Sequence, residues 1–552
     1  MKTKPSIRIL AALSALLLGS VALTACAQAS PKSLVTYQAQ TIEWKSCDPS
    51  WLLGTDRQSD AFKAGDTDCA TMLAPARYDQ PGLAPDFKIA MARLKATGER
   101  LGTLFLNPGG PGQSGLEQVQ WIDLPEKVRQ HFDVIGFDPR GVNLSDFADG
   151  SEIKCDNETD YVTYWAGEMS PANESEMQES IKLSDEYTKK CVADNPYWYT
   201  MSTANVVEDL ELMRQTITGD EPLNFLGSSY GTTIAAAYVS TYPQHVGKVI
   251  LDSPTSTDPF NLENVVAEAS AFEKKLAGWI KGYATYANMS VPEVQQLLLD
   301  IRQQGDDDKL FGFAGMKVFD AQNNAFYSNE AMFLKGIQTL AYYPQKDAQD
   351  AFNQGIDQLR EYQWNGVFEW IGLDLDGYDV EALNKRTEYS PKDLKRDNSF
   401  EVMLIVNQMD VAWPDLTVEQ QREMAAAVRK AAPFWTKLQA DSSGWQYFGE
   451  DKTLSFADFA LKDDAIPDPP KTYPARTNTS GKKLLIVGSK YESVTPFAFA
   501  EKTAKELSSP LVTFEGSEHA PVAGFKNECL TKIFVDYLVN NIDPQEGATC
   551  KP

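Results

Sequence analysis

Histidine is the scarcest chemistry-bearing residue of this chain. Only His131, His245 and His519 occur in 552 residues, which argues against a His-rich metal centre. The seven cysteines include no C-x-x-C pair, so the spacing used by zinc ribbons and dithiol redox sites is missing too, and we read no metal and no cofactor. Basic charge is in short supply: 51 Lys and Arg stand against 77 Asp and Glu, a net of −26. That balance argues against nucleic acid or an anionic membrane surface as the main partner. No internal repeat or low-complexity tract stands out. What the chain does have is core-forming material, 43% hydrophobic and 11% aromatic, over a length too great for one small domain.

Apart from this core-forming material, one apolar run calls for its own explanation. Lys2, Lys4 and Arg8 precede Ile9 to Leu23, which is too short for an ordinary spanning helix and reads as a signal peptide over 1–25. It ends Leu23-Thr24-Ala25-Cys26, which resembles the lipobox of bacterial lipoproteins and implies a lipid on Cys26. Residues 26–40 then form a polar tether, and the protein is expected on the outer face of a bacterial membrane, with plain secretion as the alternative. Six cysteines remain, an even number in an exported chain. They fall into sequence-local pairs, so neighbour bridging predicts Cys47–Cys69, Cys155–Cys191 and Cys529–Cys550.

The stretch from Pro222 to Pro254 carries the clearest chemistry. Leu223 to Leu226 reads as a strand, and from Tyr230 small and apolar residues recur at helical spacing until Pro243. Between them Gly227-Ser228-Ser229-Tyr230-Gly231 fits G-x-S-x-G, in which two glycines let the chain turn sharply and hold the central serine out. Ser229 is the candidate nucleophile, at the positive end of the following helix. The run Val249-Ile250-Leu251 completes a parallel β-α-β unit.

Along the rest of the chain, Thr41 to Trp44, Ala70 to Pro75 and Lys88 to Leu94 read as antiparallel edge strands. Thr103 to Leu106 is a buried strand that runs into Asn107-Pro108-Gly109-Gly110-Pro111-Gly112-Gln113-Ser114-Gly115. This loop lacks the Gly-Lys-Ser/Thr ending of a phosphate-binding loop and fits an oxyanion-hole loop instead. The stretch His131 to Gly141 contains a further apolar strand that ends in a polar turn, an acidic insertion covers about 145–200, and Asn205 to Ile217 is a helix. From 255 to 473 the periods turn helical (Leu262 to Tyr283, Val291 to Gln303, Val418 to Ala431), and this block is placed as a cap over the C-terminal edge of the sheet, its tryptophans packing its core. Residues 474–552 return to the sheet domain begun at 41–254, with strands at Lys482 to Gly488 and Leu511 to Phe514 and a closing helix at Asn527 to Val539. The fold class is α/β, a mostly parallel central sheet with a large helical cap.

A nucleophilic serine needs a base, and the base needs an acid to fix its tautomer. His131 and His245 sit at the wrong ends of their strands, which leaves His519. Glu492, in the loop after the penultimate strand, is the favoured acid because Ser229, Glu492 and His519 follow the order Ser…Asp/Glu…His of α/β-hydrolases. Asp252, at the end of the strand after the nucleophile, is the rival.

These residues together resemble the secreted tripeptidyl aminopeptidases and the related prolyl-aminopeptidase-like serine exopeptidases, over nearly the whole mature chain. The likeness rests on Asn107 to Gly112, Phe132 to Gly141, Gly227 to Thr232, Val249 to Asp252 and Ser493-Val494-Thr495-Pro496 before His519. It implies an α/β-hydrolase that cleaves short peptides near the free N-terminus, with the Gly110 and Tyr230 N–H groups as the oxyanion hole. The chain departs from the family pattern at Glu492 (usually Asp), at Glu518 before His519 (usually Gly) and at Asn143 (usually Gly). Partly from the family and partly from the acidity of the cap, a cap carboxylate is expected to meet the substrate's α-ammonium, and Asp410 is the candidate. Two alternatives stand beside the peptidase: an esterase or general small-molecule hydrolase, and a peptide-binding lipoprotein without activity.

Overall fold

The computed structural model describes residues 33–153 except 54–56, 65–66 and 83, then 182, 191, 193–256, 258, 261–306, 318–319, 325–326, 330–360, 398–410, 417–439 and 476–552. Its centre is a nine-stranded sheet built from β1 (Thr67–Ala74), β2 (Phe87–Leu94), β3 (Gly102–Asn107), β4 (Phe132–Phe137), β5 (Leu223–Ser228), β6 (Val246–Asp252), β7 (Leu485–Ser489), β8 (Leu511–Phe514) and β9 (Thr549–Cys550). The spatial order is β1-β2-β4-β3-β5-β6-β7-β8-β9. β1 pairs antiparallel with β2 and β2 antiparallel with β4, while every other pairing is parallel. Parallel strands covered on both faces should read as continuous apolar runs. β3 and β7 do so, with every residue buried.

Helices cover both faces. α1 (Gly115–Trp121) follows β3, α2 (Thr203–Met213) leads into β5, and α3 (Tyr230–Thr241) links β5 to β6. One apolar cluster joins α2 and α3 to the sheet through Val206, Leu210, Ile234, Phe225 and Leu251. A second, on the other face, includes Leu104, Leu116, Val119, Leu226, Ile250, Val487 and Phe534.

The predicted strand at Thr41 to Trp44 does not form. The edge of β1 is occupied instead by an isolated Lys45–Cys69 bridge beside the Cys47–Cys69 disulfide and by the Gln40 amide, which both donates to and accepts from the Leu73 backbone at 2.9 Å. A side chain has taken the place of a strand. β9, two residues long, had no period from which to be read.

A separate helical layer comprises α4 (Leu262–Tyr286), α5 (Val291–Asp306), α6 (Glu330–Thr339), α7 (Gln345–Arg360), α8 (Ser399–Asp410), α9 (Val418–Ala431) and α10 (Pro433–Leu438). Most of it packs around its own core of Leu276, Trp279, Leu298, Phe333, Phe352 and Trp435. Trp364, Trp370, Trp413 and Trp445 lie outside the described residues, as does most of the 145–200 insertion. α8 behaves differently from the rest of the block. Its Val402, Ile405, Val406 and Met409 belong to the cluster under α2 and α3, and Asn398 just before it accepts from the Asn143 N–H at 2.9 Å and donates to the Gly141 carbonyl at 2.8 Å. The block from 255 to 473 is therefore not uniform: one of its helices packs into the sheet's own core. The chain closes with α11 (Phe497–Glu506) and α12 (Glu528–Leu538), and the Cys529–Cys550 disulfide ties α12 to β9.

Candidate active site

β5 ends at Ser228 and α3 begins at Tyr230, so Ser229 alone makes the turn, with φ 53° and ψ −124°. A non-glycine residue held there stores about 1–3 kcal/mol of strain. Gly227 and Gly231 contribute close approach rather than unusual torsions: a Cβ on Gly227 would stand 2.2 Å from the Gly231 carbonyl, and one on Gly231 2.6 Å from the Asn107 carbonyl. The serine, not the glycines, takes the positive φ.

The end of β6 holds the rest together. The Ser229 N–H donates to the Asp252 carbonyl at 3.0 Å. Asp252 Oδ2 accepts from the Val522 and Ala523 N–H groups at 3.0 and 2.9 Å, which fixes the loop just past His519. Next to it, Ser253 (φ 57°) accepts from the Ala520 N–H at 2.9 Å and donates to Glu492 Oε2 at 2.8 Å. The other Glu492 oxygen faces His519 Nδ1 and also accepts from the Thr495 hydroxyl at 2.7 Å and the Thr495 N–H at 3.2 Å. Glu492 is 2% exposed and fully engaged. Of the two rival carboxylates, Glu492 touches the histidine and Asp252 holds its loop. Burial pushes the Asp252 carboxyl up to about 7, against the two N–H donors, and its Oδ1 has no hydrogen-bond partner among the described residues.

The glycine-rich loop lies against the serine. Gly109 adopts φ 110°, and a Cβ there would come within 2.6 Å of the Ser228 carbonyl and 2.9 Å of Ser229 Cβ, so no other residue fits. Its N–H donates to Asn107 Oδ1 at 3.1 Å. For the neighbouring Gly110 N–H no partner occurs among the described residues, which leaves it as the loop's candidate donor to an oxyanion. Ser114 closes the loop, capping α1 through the Glu117 N–H at 2.9 Å and bonding to buried Asp138.

Residues 102–294 match the family model for the alpha/beta hydrolase fold, and residues 459–550 match the model described as TAP-like protein. The chain has the α/β-hydrolase fold. It is 26% identical to Serine protease Hip1 of Mycobacterium tuberculosis over 93% of this chain and 91% of that protein. It is 24% identical to the Tripeptidyl aminopeptidase of Streptomyces lividans, covering 93% and 87%, and 25% identical to Carboxylesterase B of M. tuberculosis, covering 91% and 90%. The chain is a serine hydrolase.

Within this hydrolase, Asp410 is not arranged as a substrate carboxylate. Both its oxygens accept from the Thr203 N–H, at 2.9 and 3.1 Å, and one also takes the Thr203 hydroxyl, so it fastens α8 to the first residue of α2. Burial pushes it up to about 7. His131 and His245 face the Glu99 carbonyl and the Glu211 carboxylate at the N-terminal ends of β4 and β6, away from Ser229. Asn143 stands at φ 40°, a conformation that asparagine tolerates where the family has glycine. Glu518 adds a carboxylate that accepts from the Ser517 N–H at 2.9 Å. Cys26 and Cys155 lie outside the described residues, while Cys191 is disulfide-bonded.

Three residues that sequence reasoning passed over brace or touch the candidate site, and a fourth, Glu268, lies within electrostatic reach of one of them. Ser253 and Thr495 hold Glu492. Tyr342 packs edge-on against the His519 ring at 5.4 Å between centroids and keeps 55% of its surface exposed, as a wall residue should. Glu268, on α4, is partly buried and has no partner among the described residues, and burial alone pushes it up to about 7. Only Thr495, inside a recognised motif, left a signal in the sequence.

Proposed function

We propose that this hydrolase is a serine exopeptidase that removes short pieces from the free N-terminus of peptides through an acyl-enzyme. Ser229 Oγ attacks the scissile carbonyl as His519 Nε2 takes its proton. Glu492 accepts from His519 Nδ1–H, holding the tautomer that leaves Nε2 basic and stabilising the imidazolium that forms. The N–H groups of Gly110 and Tyr230 receive the oxyanion, and the α3 dipole adds to them. His519 then returns its proton to the leaving amine, and water repeats the cycle on the ester.

The observation that carries this reading is the contact of His519 Nδ1 with a buried, fully bonded Glu492, on a loop tied to the strand end that also fixes Ser229. The names of the protease and aminopeptidase relatives support peptides as the substrate class. For the α-ammonium, Glu268 replaces Asp410 as the candidate acceptor, because its carboxylate has no partner among the described residues and lies within electrostatic reach of Tyr342. The protein is expected to be exported and held to the membrane through a lipid on Cys26.

The test is labelling by a fluorophosphonate probe. The adduct should map to Ser229 and vanish in Ser229→Ala, and an unlabelled wild type would refute the assignment. Carboxylesterase B among the relatives favours a second reading, an esterase. Peptide anilides against nitrophenyl esters separate the two, since an esterase leaves unactivated amides intact.

A further inference from the structure

Lys275 is a cation where a cation is costly. It lies in the middle of α4, is 6% exposed, and sits among Leu276, Trp279 and Phe272, with its Nζ 5.9 Å from the Trp279 ring. A buried charge persists only where it is hydrogen-bonded or paired. Lys275 Nζ donates to two backbone carbonyls, Ala341 at 2.6 Å and Ser517 at 3.2 Å. Both acceptors adjoin the site. Ala341 immediately precedes Tyr342, whose ring rests on His519, and Ser517 lies two residues before His519.

The loop that carries His519 is thus held from two sides. From the sheet, Asp252 takes the Val522 and Ala523 N–H groups, Ser253 takes the Ala520 N–H, and Ser489 donates to the Glu518 carbonyl at 2.6 Å. From the helical layer come the Lys275 bond and one weaker contact, the Ser517 hydroxyl with Gln345 Oε1 at 3.2 Å. Sheet contacts reach the loop on both sides of His519, since the Tyr491 N–H donates to the Gly516 carbonyl at 3.0 Å and the Glu515 N–H to the Cys550 carbonyl at 2.8 Å, but among the described residues none of them reaches Ser517 or the Tyr342 segment. The ammonium bonds to both of these, at Ser517 and at Ala341 next to Tyr342.

We propose that Lys275 is a positioning residue, whose ammonium ties α4, the Tyr342 segment and the His519 loop into one register and so couples the helical layer to the catalytic base. The inference rests on the serine-hydrolase mechanism above. It makes the cap part of the machinery rather than a cover. The charged groups that face the ammonium are Glu492, from the loop after β7, and Glu518, from the His519 loop; the titratable Tyr342 and His519 follow its two carbonyl acceptors by one and two residues. Burial pushes Lys275 down to about 8, against the opposing pull of the two glutamates, so the charge is lost within an accessible pH range.

The experiment compares wild type, Lys275→Met and Lys275→Arg by steady-state turnover of a nitrophenyl ester, by the rate of fluorophosphonate labelling and by melting temperature. We expect Lys275→Met to lower kcat and the labelling rate at least tenfold with KM changed less than threefold, and Lys275→Arg to recover a substantial part of both. In wild type the labelling rate should fall as pH rises through about 8; in Lys275→Arg, whose guanidinium keeps its proton, that limb should be absent. A Lys275→Met enzyme that labels within twofold of wild type overturns the proposal, as does an alkaline limb shared unchanged by wild type and Lys275→Arg. If Lys275→Met does not fold, the limb decides alone: its loss in Lys275→Arg supports the proposal, and a wild-type profile flat to pH 10 overturns it. A wild type that never labels at Ser229 defeats the hydrolase mechanism instead, so the two failures are distinguishable.

Discussion

Exchanging each of the two rival carboxylates for its amide should give opposite results. In Glu492→Gln the carboxylate that faces His519 Nδ1 loses its charge, and one of its oxygens becomes an N–H₂ that must displace a donor. The candidates for displacement are His519 on one side and the Ser253 hydroxyl on the other. Neutralising the acid of such a triad costs about 10⁴ in kcat, or about 5.5 kcal/mol of transition-state stabilisation. In Asp252→Asn one amide oxygen still accepts from the Val522 and Ala523 N–H groups, and the N–H₂ falls where Oδ1 already lacks a partner. The loss is charge assistance on two bonds, about 1 kcal/mol each, so kcat should stay within about thirtyfold. Stability gives an independent reading. With its carboxyl raised from 3.8 to about 7, Asp252 binds a proton more readily folded than unfolded, so its contribution to stability falls as pH rises through that window. Asp252→Asn should therefore melt with a shallower decline than wild type between pH 5 and 8, and near pH 8 no more than a few degrees lower. The assays are kcat on a peptide anilide and melting from pH 5 to 8. If Asp252→Asn loses activity as severely as Glu492→Gln, or if Glu492→Gln retains more than a few percent, the reasoning from these contacts fails.

Other outcomes follow from the same geometry. Ser253→Ala removes the hydroxyl shared by Glu492 and the Ala520 N–H and should lower kcat about ten- to a hundredfold, with KM little changed; a neutral result in turnover would remove Ser253 from the account. Gly109→Ala places a Cβ against Ser229 at a torsion alanine rarely adopts and should abolish fluorophosphonate labelling; labelling at the wild-type rate would mean that the loop is not packed on the serine as described. Non-reducing peptide mapping should recover Cys47–Cys69, Cys529–Cys550 and Cys155–Cys191, with lipid on Cys26. Removing either of the first two, which close loops with sequence separations of 22 and 21, should cost about 3 kcal/mol. A free thiol at any of these six positions contradicts the pairing.

Legibility in the sequence followed distance along the chain. The turn at Ser229 was readable because it, the strand before it and the helix after it occupy about thirty consecutive residues and obey local rules of torsion and periodicity. The sheet strands from β2 to β8 announced themselves by apolar runs. Thr41 to Trp44 misled for the same local reason: alternation suggested a strand, but a glutamine side chain satisfied the edge. The supports of the site were not readable. Ser253 meets Glu492 across 239 residues, and Lys275 meets Ser517 across 242. Asp410 shows the converse. Its acidity pointed to a ligand, while its contact with Thr203, 207 residues away, was invisible until the chain was folded. Glu268 and Asp410 look alike in sequence, and only the presence or absence of a partner among the described residues separates them.

Recognition of a free amino terminus is the central claim, and paired peptides test it most directly. The measurement is kcat/KM on substrates identical except for N-terminal acetylation, taken at pH 8 and again at pH 6. Acetylation removes the ammonium that an ionised Glu268 would meet. Glu268 is raised to about 7, so it is mostly charged at pH 8 and mostly neutral at pH 6. The account predicts that at pH 8 the free-amine peptide is cleaved at least a hundredfold faster than its acetylated twin, and that the advantage shrinks at pH 6 and in Glu268→Gln. Equal rates on the two peptides at pH 8 would contradict it and leave a general hydrolase in place of the exopeptidase.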